Sequence, residues 1–153
     1  NRLYASYSYF LRRTRVDRIG INVTGAGAGG AAARLGIYAV DPTTFYPTTL
    51  LLDAGIVDCT AIGAKQIIID FTFSKFTWYA LAYLSNDATI DLGVKALYLW
   101  SPYGGTSAFD PTTEAGHVYV AQAYGALPNP FPAPAAGQGN QHMIMVRVHS
   151  FLP

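Results

Sequence analysis

Apolar and polar residues alternate with a period of two along most of this chain, the signature of strands with one buried face. In residues 3–10, Leu3, Ala5, Tyr7 and Tyr9 share one face and Tyr4, Ser6, Ser8 and Phe10 the other. Residues 17–24 set Ile19, Ile21 and Val23 against Arg18, Gly20, Asn22 and Thr24. Residues 65–73 set Ile67, Ile69, Phe71 and Phe73 against Gln66, Ile68, Asp70 and Thr72. The same logic predicts strands at 34–40, 50–57, 90–100, 117–124 and 141–149. Residues 76–84 are different: Phe76, Trp78, Ala80, Ala82 and Leu84 oppose Tyr79, Leu81 and Tyr83, so both faces are apolar, as in a central or interface strand.

About nine short strands broken by turn residues, with no sustained helical period, predict an all-β fold. The expected architecture is one domain over residues 1–153, an antiparallel two-sheet β-sandwich of jelly-roll type. Two long connections interrupt it. Residues 101–116 read SPYGGTSAFDPTTEAG, and residues 125–140 read GALPNPFPAPAAGQGN, with Pro128, Pro130, Pro132 and Pro134 alternating. Such spacing favours an extended arm. With Phe131, this arm is expected to strap an adjacent subunit, and Tyr79, Leu81 and Tyr83 are expected at the subunit interface.

Composition strengthens the expectation of assembly. Charged residues make up only 12% of the chain against about 25% in ordinary soluble domains, and hydrophobic residues 51%. The formal net charge of +1 does little to keep copies apart. Gly, Asp and Lys interrupt every apolar run well short of the ~18 residues of a membrane span, so no membrane insertion is expected. The first residues lack the basic and apolar regions of a signal peptide, and there is no initiating Met, which reads as the C-terminal part of a longer product.

Few residues nominate themselves for chemistry. The lone Cys59 excludes an internal disulfide and reads as a small buried hydrophobe. Gly25, Gly27 and Gly30 satisfy G-x-G-x-x-G after a strand, but residues 31–40 alternate like a strand where a dinucleotide site needs a helix, so no cofactor is expected. His142 and His149 fall on opposite strand faces, and His117 is distant in sequence, so no metal is expected. The nine carboxylates stand singly; Asp110 with Glu114 is the least poor acid pair, and Asp41 and Asp110, each in D-P-T-T, read as turn initiators. Arg12, Arg13, Arg15 and Arg18 form a basic cluster interrupted by Asp17, too small for a nucleic-acid surface. Asn22-Val23-Thr24 matches a glycosylation acceptor inside a predicted strand and is read as chance.

Aromatic residues reach 14%. Tyr98, Trp100, Tyr103 and Phe109 gather with Asp110 at the end of one predicted strand and in its following loop. Rings stack on sugar faces while a carboxylate fixes hydroxyls, so these five residues are the candidate glycan site.

Several blocks occur in a telling order: L-Y-A-S at 3–6, F-L-R-R at 10–13, V-D-R-I-G-I-N-V-T at 16–24, R-L-G-I-Y at 34–38, L-L-L-D-A-G-I-V at 50–57, and Trp78-Tyr79. Together they resemble the jelly-roll β domain of tailed-bacteriophage fibre and appendage proteins, found in tail fibres, receptor-binding tips and head fibres. The resemblance covers residues 1–91 and nothing beyond. It implies a virion structural protein, commonly a homotrimer, without catalysis, that attaches to a host surface polymer. The expected function is therefore a non-enzymatic receptor-binding appendage, located on the extracellular particle. Its expected partners are itself, other virion proteins and a bacterial surface polysaccharide, with no nucleic acid among them. The alternatives are a head-decoration protein and a stand-alone carbohydrate-binding module.

Overall fold

The computed structural model describes residues 1–96, 117–133, 136–138 and 140–153. The described strands are β1 (Arg2–Phe10), β2 (Thr14–Gly25), β3 (Ala32–Val40), β4 (Pro47–Asp58), β5 (Gly63–Phe73), β6 (Thr77–Ser85), β7 (Asp91–Leu92), β8 (Val94–Ala96), β9 (His117–Ala121), β10 (Ala136–Gln138), β11 (Asn140–His142) and β12 (Ile144–Phe151). The larger sheet has the order β10-β9-β1-β6-β3-β4, and the smaller has β12-β2-β5 with β7 beside the end of β2. Strands β8 and β11 pair separately. The fold is an all-β sandwich of two antiparallel sheets.

The first six strands pair as a nested set. β3 pairs β4, β2 pairs β5 and β1 pairs β6, all antiparallel. The set is rolled so that β6 also meets β3, which leaves β1, β6, β3 and β4 in one sheet and β2 and β5 in the other. Alternation then sorts side chains as the pattern predicts. Val16, Ile19, Ile21, Val23, Ile69, Phe73 and Ile144 meet Leu35, Ile37, Tyr79, Leu81 and Tyr83 in the core between the sheets. Phe10 stacks on Phe73 there, with ring centroids 3.8 Å apart.

Tyr79, Leu81 and Tyr83 thus lie inside one chain, and the smaller sheet covers them before any second copy arrives. The opposite face of the larger sheet is covered as well. Leu3, Ala5, Tyr7, Tyr38, Ala80, Ala82 and Leu84 form a second core with Leu127 and Phe131, which lie on an arm over residues 124–133. Three hydrogen bonds pin that arm to its own chain. The Tyr38 hydroxyl donates to the Pro128 carbonyl (2.8 Å), the Leu50 N–H to Asn129 Oδ1 (3.1 Å), and the Phe131 N–H to the Thr48 carbonyl (2.7 Å). Burial of the Tyr38 ring also raises the pKa of its phenol, which keeps it a donor. At Gly36 the arm comes so close that a Cβ would overlap Leu127 Cδ1 and lie 2.9 Å from the Leu52 carbonyl oxygen.

Some strand expectations need correction. The strand read over 90–100 breaks at Gly93, whose N–H donates to the Asn22 carbonyl and whose carbonyl accepts from Met143 N–H. That read over 141–149 likewise divides at Met143. Register shifts on either side of Val148 then end the alternation, so Val148 is 45% exposed although it shares parity with the buried Ile144.

Removing the ring that anchors the arm tests this arrangement. Phe131→Ala is expected to lower stability by about 3–5 kcal/mol, the usual cost of emptying a buried aromatic site, as read from urea unfolding midpoints. Unchanged midpoints would mean that the arm is not part of the core.

Candidate functional site

The glycine-rich loop after β2 is held as a structural turn. Its N–H groups are spoken for: Gly27 donates to the Cys59 carbonyl (3.0 Å), Ala28 to Asp87 Oδ2 (2.8 Å), Ala31 to the Ala28 carbonyl (2.9 Å) and Ala32 to Asn86 Oδ1 (2.7 Å). Asn86 Nδ2 donates back to the Gly30 carbonyl, and strand β3 follows directly. A pyrophosphate would find neither a helix terminus nor these donors free. Cys59 is fully buried, and burial raises the pKa of its thiol, so it is a poor nucleophile.

Carboxylates are consumed in the same structural way. Asp17, Asp53 and Asp70 pair with Arg147, Arg34 and Arg15 at 2.6–2.8 Å. Asp41, Asp58 and Asp87 accept from N–H groups two or three residues ahead, which closes turns and lowers each pKa. The turn-initiating role expected of Asp41 is the observed one. Among the described residues, no group of three or more His, Cys, Asp and Glu side chains is placed to hold a metal. The arginine cluster divides: Arg12 and Arg13 sit in the β1–β2 turn, while Arg15 and Arg18 belong to β2.

The aromatic site expected at Tyr98, Trp100, Tyr103, Phe109 and Asp110 lies outside the described residues, as do Glu114 and Pro134. Pro128, Pro130, Phe131 and Pro132 belong to the arm that packs on its own chain.

The structure assembles a different aromatic surface, one that sequence reasoning missed. Tyr9 on β1 and Trp78 on β6 are cross-strand partners with ring centroids 4.9 Å apart, on the face that carries the arm. Phe45, from the β3–β4 turn, meets the Trp78 ring edge-on at 6.3 Å. Tyr9 and the neighbouring Tyr46 are 42% and 45% exposed, so this end of the face is left uncovered. Phe45 has a φ of 56°, a left-handed conformation costly for a bulky residue. Asp41 holds the turn in that shape, since its side chain accepts from Thr43 and Thr44 and its carbonyl from Phe45 N–H. A second aromatic at positive φ, Phe76 (54°), sits 66% exposed in the β5–β6 turn at the same end of the sheet. The rings come from three separate chain segments, and the one signal available in sequence was Phe45-Tyr46 in a turn otherwise made of Pro, Thr and Asp.

A second feature is a cavity of about 410 Å³ lined by Arg2, Tyr4, Tyr83, Ser85, Asp87 and Ile90 among others. Tyr4 stacks on Tyr83 at 5.0 Å and leans on Tyr119 at 5.7 Å, while the Arg2 guanidinium lies 4.6 Å above the Tyr119 ring. Asp87 on its wall is already held by Thr89 and Ala28. Stacking surfaces and turn-bound carboxylates suit noncovalent binding. No protein-family model, curated protein or solved structure matches the chain.

The turn carboxylates predict acid sensitivity. The folded pKa of Asp87 lies below the ~3.9 of an unfolded Asp, so its contribution is present above that value and is lost as pH falls through the folded pKa. Asp87→Asn is expected to flatten the decline of the unfolding midpoint below about pH 4. An unchanged acid limb in the variant would remove Asp87 from this role.

Proposed function

We propose that this chain is a non-enzymatic attachment module of a tailed-phage virion, a tail-fibre or receptor-binding domain that holds a bacterial surface polysaccharide. The observation that carries the reading is the aromatic cluster in which exposed Tyr9 meets the half-buried rings of Trp78 and Phe45 beside a strained turn. Aromatic faces attract the C–H faces of sugar rings, and rings tilted and edge-on to one another offer a polymer more than one such face. The nested strand pairs, rolled into two sheets, support the jelly-roll relationship that the motif order suggests. In the proposed assembly three copies present three shallow platforms, and multivalency raises the avidity of each weak contact. Other virion proteins hold the trimer on the particle.

One observation favours a second reading. Apart from the end around Tyr9, both faces of the larger sheet are covered within a single chain, so the module does not need neighbours to bury most of its apolar surface. A stand-alone carbohydrate-binding module is the reading that this supports.

Two measurements separate these readings. Trp78→Ala and Tyr9→Ala are each expected to weaken retention by host surface polysaccharide roughly tenfold, in line with the loss of an aromatic stacking contact, with circular dichroism close to the parent; Trp78→Ala, whose ring packs on the second core, is expected to melt somewhat lower and is compared well below its melting temperature. Full retention by both folded variants would overturn the platform. Light scattering is expected to give a trimer; a monomer that still binds polysaccharide would transfer the assignment to the stand-alone module.

A further inference from the structure

The smaller sheet turns its outer face to solvent, and that face carries an unbalanced charge beside an open trough. Two cross-strand rows define it. Arg147, Arg18 and Ile68 align across β12, β2 and β5, and two residues along β2 the next row is Met145, Gly20 and Gln66. Arg15 is neutralised by two bonds to Asp70, both 2.8 Å, and Arg147 by two bonds to Asp17, 2.6 and 2.7 Å. Arg18 lies between these pairs and, among the described residues, donates only to the Asp17 backbone carbonyl (2.9 Å). Three guanidinium groups therefore face two carboxylates.

Next to Arg18 the sheet is hollow. Gly20 forms a floor of bare backbone, and a Cβ there would come 2.5 Å from the Lys65 carbonyl oxygen, so close strand packing keeps the position empty. The trough above it holds about 230 Å³, with Met145 on one wall, Ala64, Lys65 and Gln66 on the other, and Arg18 and Arg147 at one end. Ile68, 75% exposed, stands in register with Arg18.

From this geometry we infer a second binding site, for an acidic sugar unit such as a uronate or sialate residue. The ring lays its apolar face over Gly20 and against Met145. Its carboxylate meets the Arg18 guanidinium, whose fork suits two parallel hydrogen bonds. The Gln66 amide is placed for ring hydroxyls. An amphiphilic anion matches a trough whose lining combines Met145, Val146 and Ala64 with cationic side chains, of which Arg18 donates to no carboxylate among the described residues. The site lies on the opposite side of the sandwich from the aromatic platform and differs from it in charge, so it extends the attachment reading and is testable apart from it.

The test immobilises polygalacturonate, dextran and polyglutamate and measures binding of the full chain by biolayer interferometry. Polygalacturonate is expected to bind more tightly than either other polymer. Arg18→Gln is expected to weaken it about tenfold, the scale of one lost charge-assisted hydrogen-bonded contact, and to leave dextran unchanged. Arg13→Gln removes the same charge from the β1–β2 turn and is expected to change nothing. Equal losses in the two variants would reduce the effect to bulk charge and overturn the site. So would a chain that holds polygalacturonate no better than dextran. Polyglutamate bound as tightly, with the same dependence on Arg18, would overturn the sugar assignment in favour of a protein carboxylate. A Trp78→Ala control reports on the platform alone, so failure of either site is seen separately.

Discussion

The larger sheet has two apolar faces, and both must be kept from water; the rest of the molecule is arranged around that requirement. Strand β6 carries it most plainly, since Tyr79, Leu81 and Tyr83 point one way and Ala80, Ala82 and Leu84 the other. One sheet cannot cover both sides. The smaller sheet covers the first, and the arm over residues 124–133 covers the second, with Leu127 above Gly36 and Phe131 edge-on to Tyr38 at 5.1 Å. The arm is not the extended strap that its alternating prolines suggest, since it bends at residues 124–126 and 129–130, but its prolines still suit the role because they leave fewer backbone conformations to lose and few N–H groups unpaired. The N–H of Phe131 finds the Thr48 carbonyl.

The reach of the arm decides which part of the face stays open. Beyond it, the end row of the sheet holds Tyr9 and Trp78, and the β3–β4 turn adds Phe45 at their edge. An apolar surface left open at a strained turn is a poor solution for stability alone and a good one for holding a ligand. The same reasoning separates the two sheets. The smaller sheet is buried on one side only, so its outer face is free to carry charged residues, and most of those it carries are paired across strands. Arg18 is the exception, and it adjoins the one position on β2 where tight packing against β5 demands glycine.

Charge is scarce in this chain, and what there is shapes the backbone. Asp41, Asp58 and Asp87 close turns, and Asp87 with Asn86 ties the glycine-rich loop to the turn after β6. Asp53 is half-buried beside Arg34 and also accepts from Gly55 N–H, at a bulge where φ is 103°. The turn carboxylates of Asp41, Asp58 and Asp87 are stabilised as anions by the N–H groups they accept from, which lowers their pKa values. Such groups make a scaffold.

The period of two was enough to determine the all-β class, the inward faces of β2 and β5, and the turn at Asp41, because side-chain direction along a strand depends only on parity and the turn depends on neighbours two and three residues away. The same local patterns explain why the glycine-rich loop could be read as a turn. Parity does not say what lies across a face. It left Tyr79, Leu81 and Tyr83 open to a neighbouring subunit, when the strand that covers them comes from the same chain. It could not fold the proline arm back onto Tyr38, a contact 90 residues away in sequence. Nor could it bring Tyr9, Phe45 and Trp78 together, or show that Arg18, among the described residues, donates to a backbone carbonyl and to no carboxylate, since those relations depend on strand order and register, which only the tertiary structure decided.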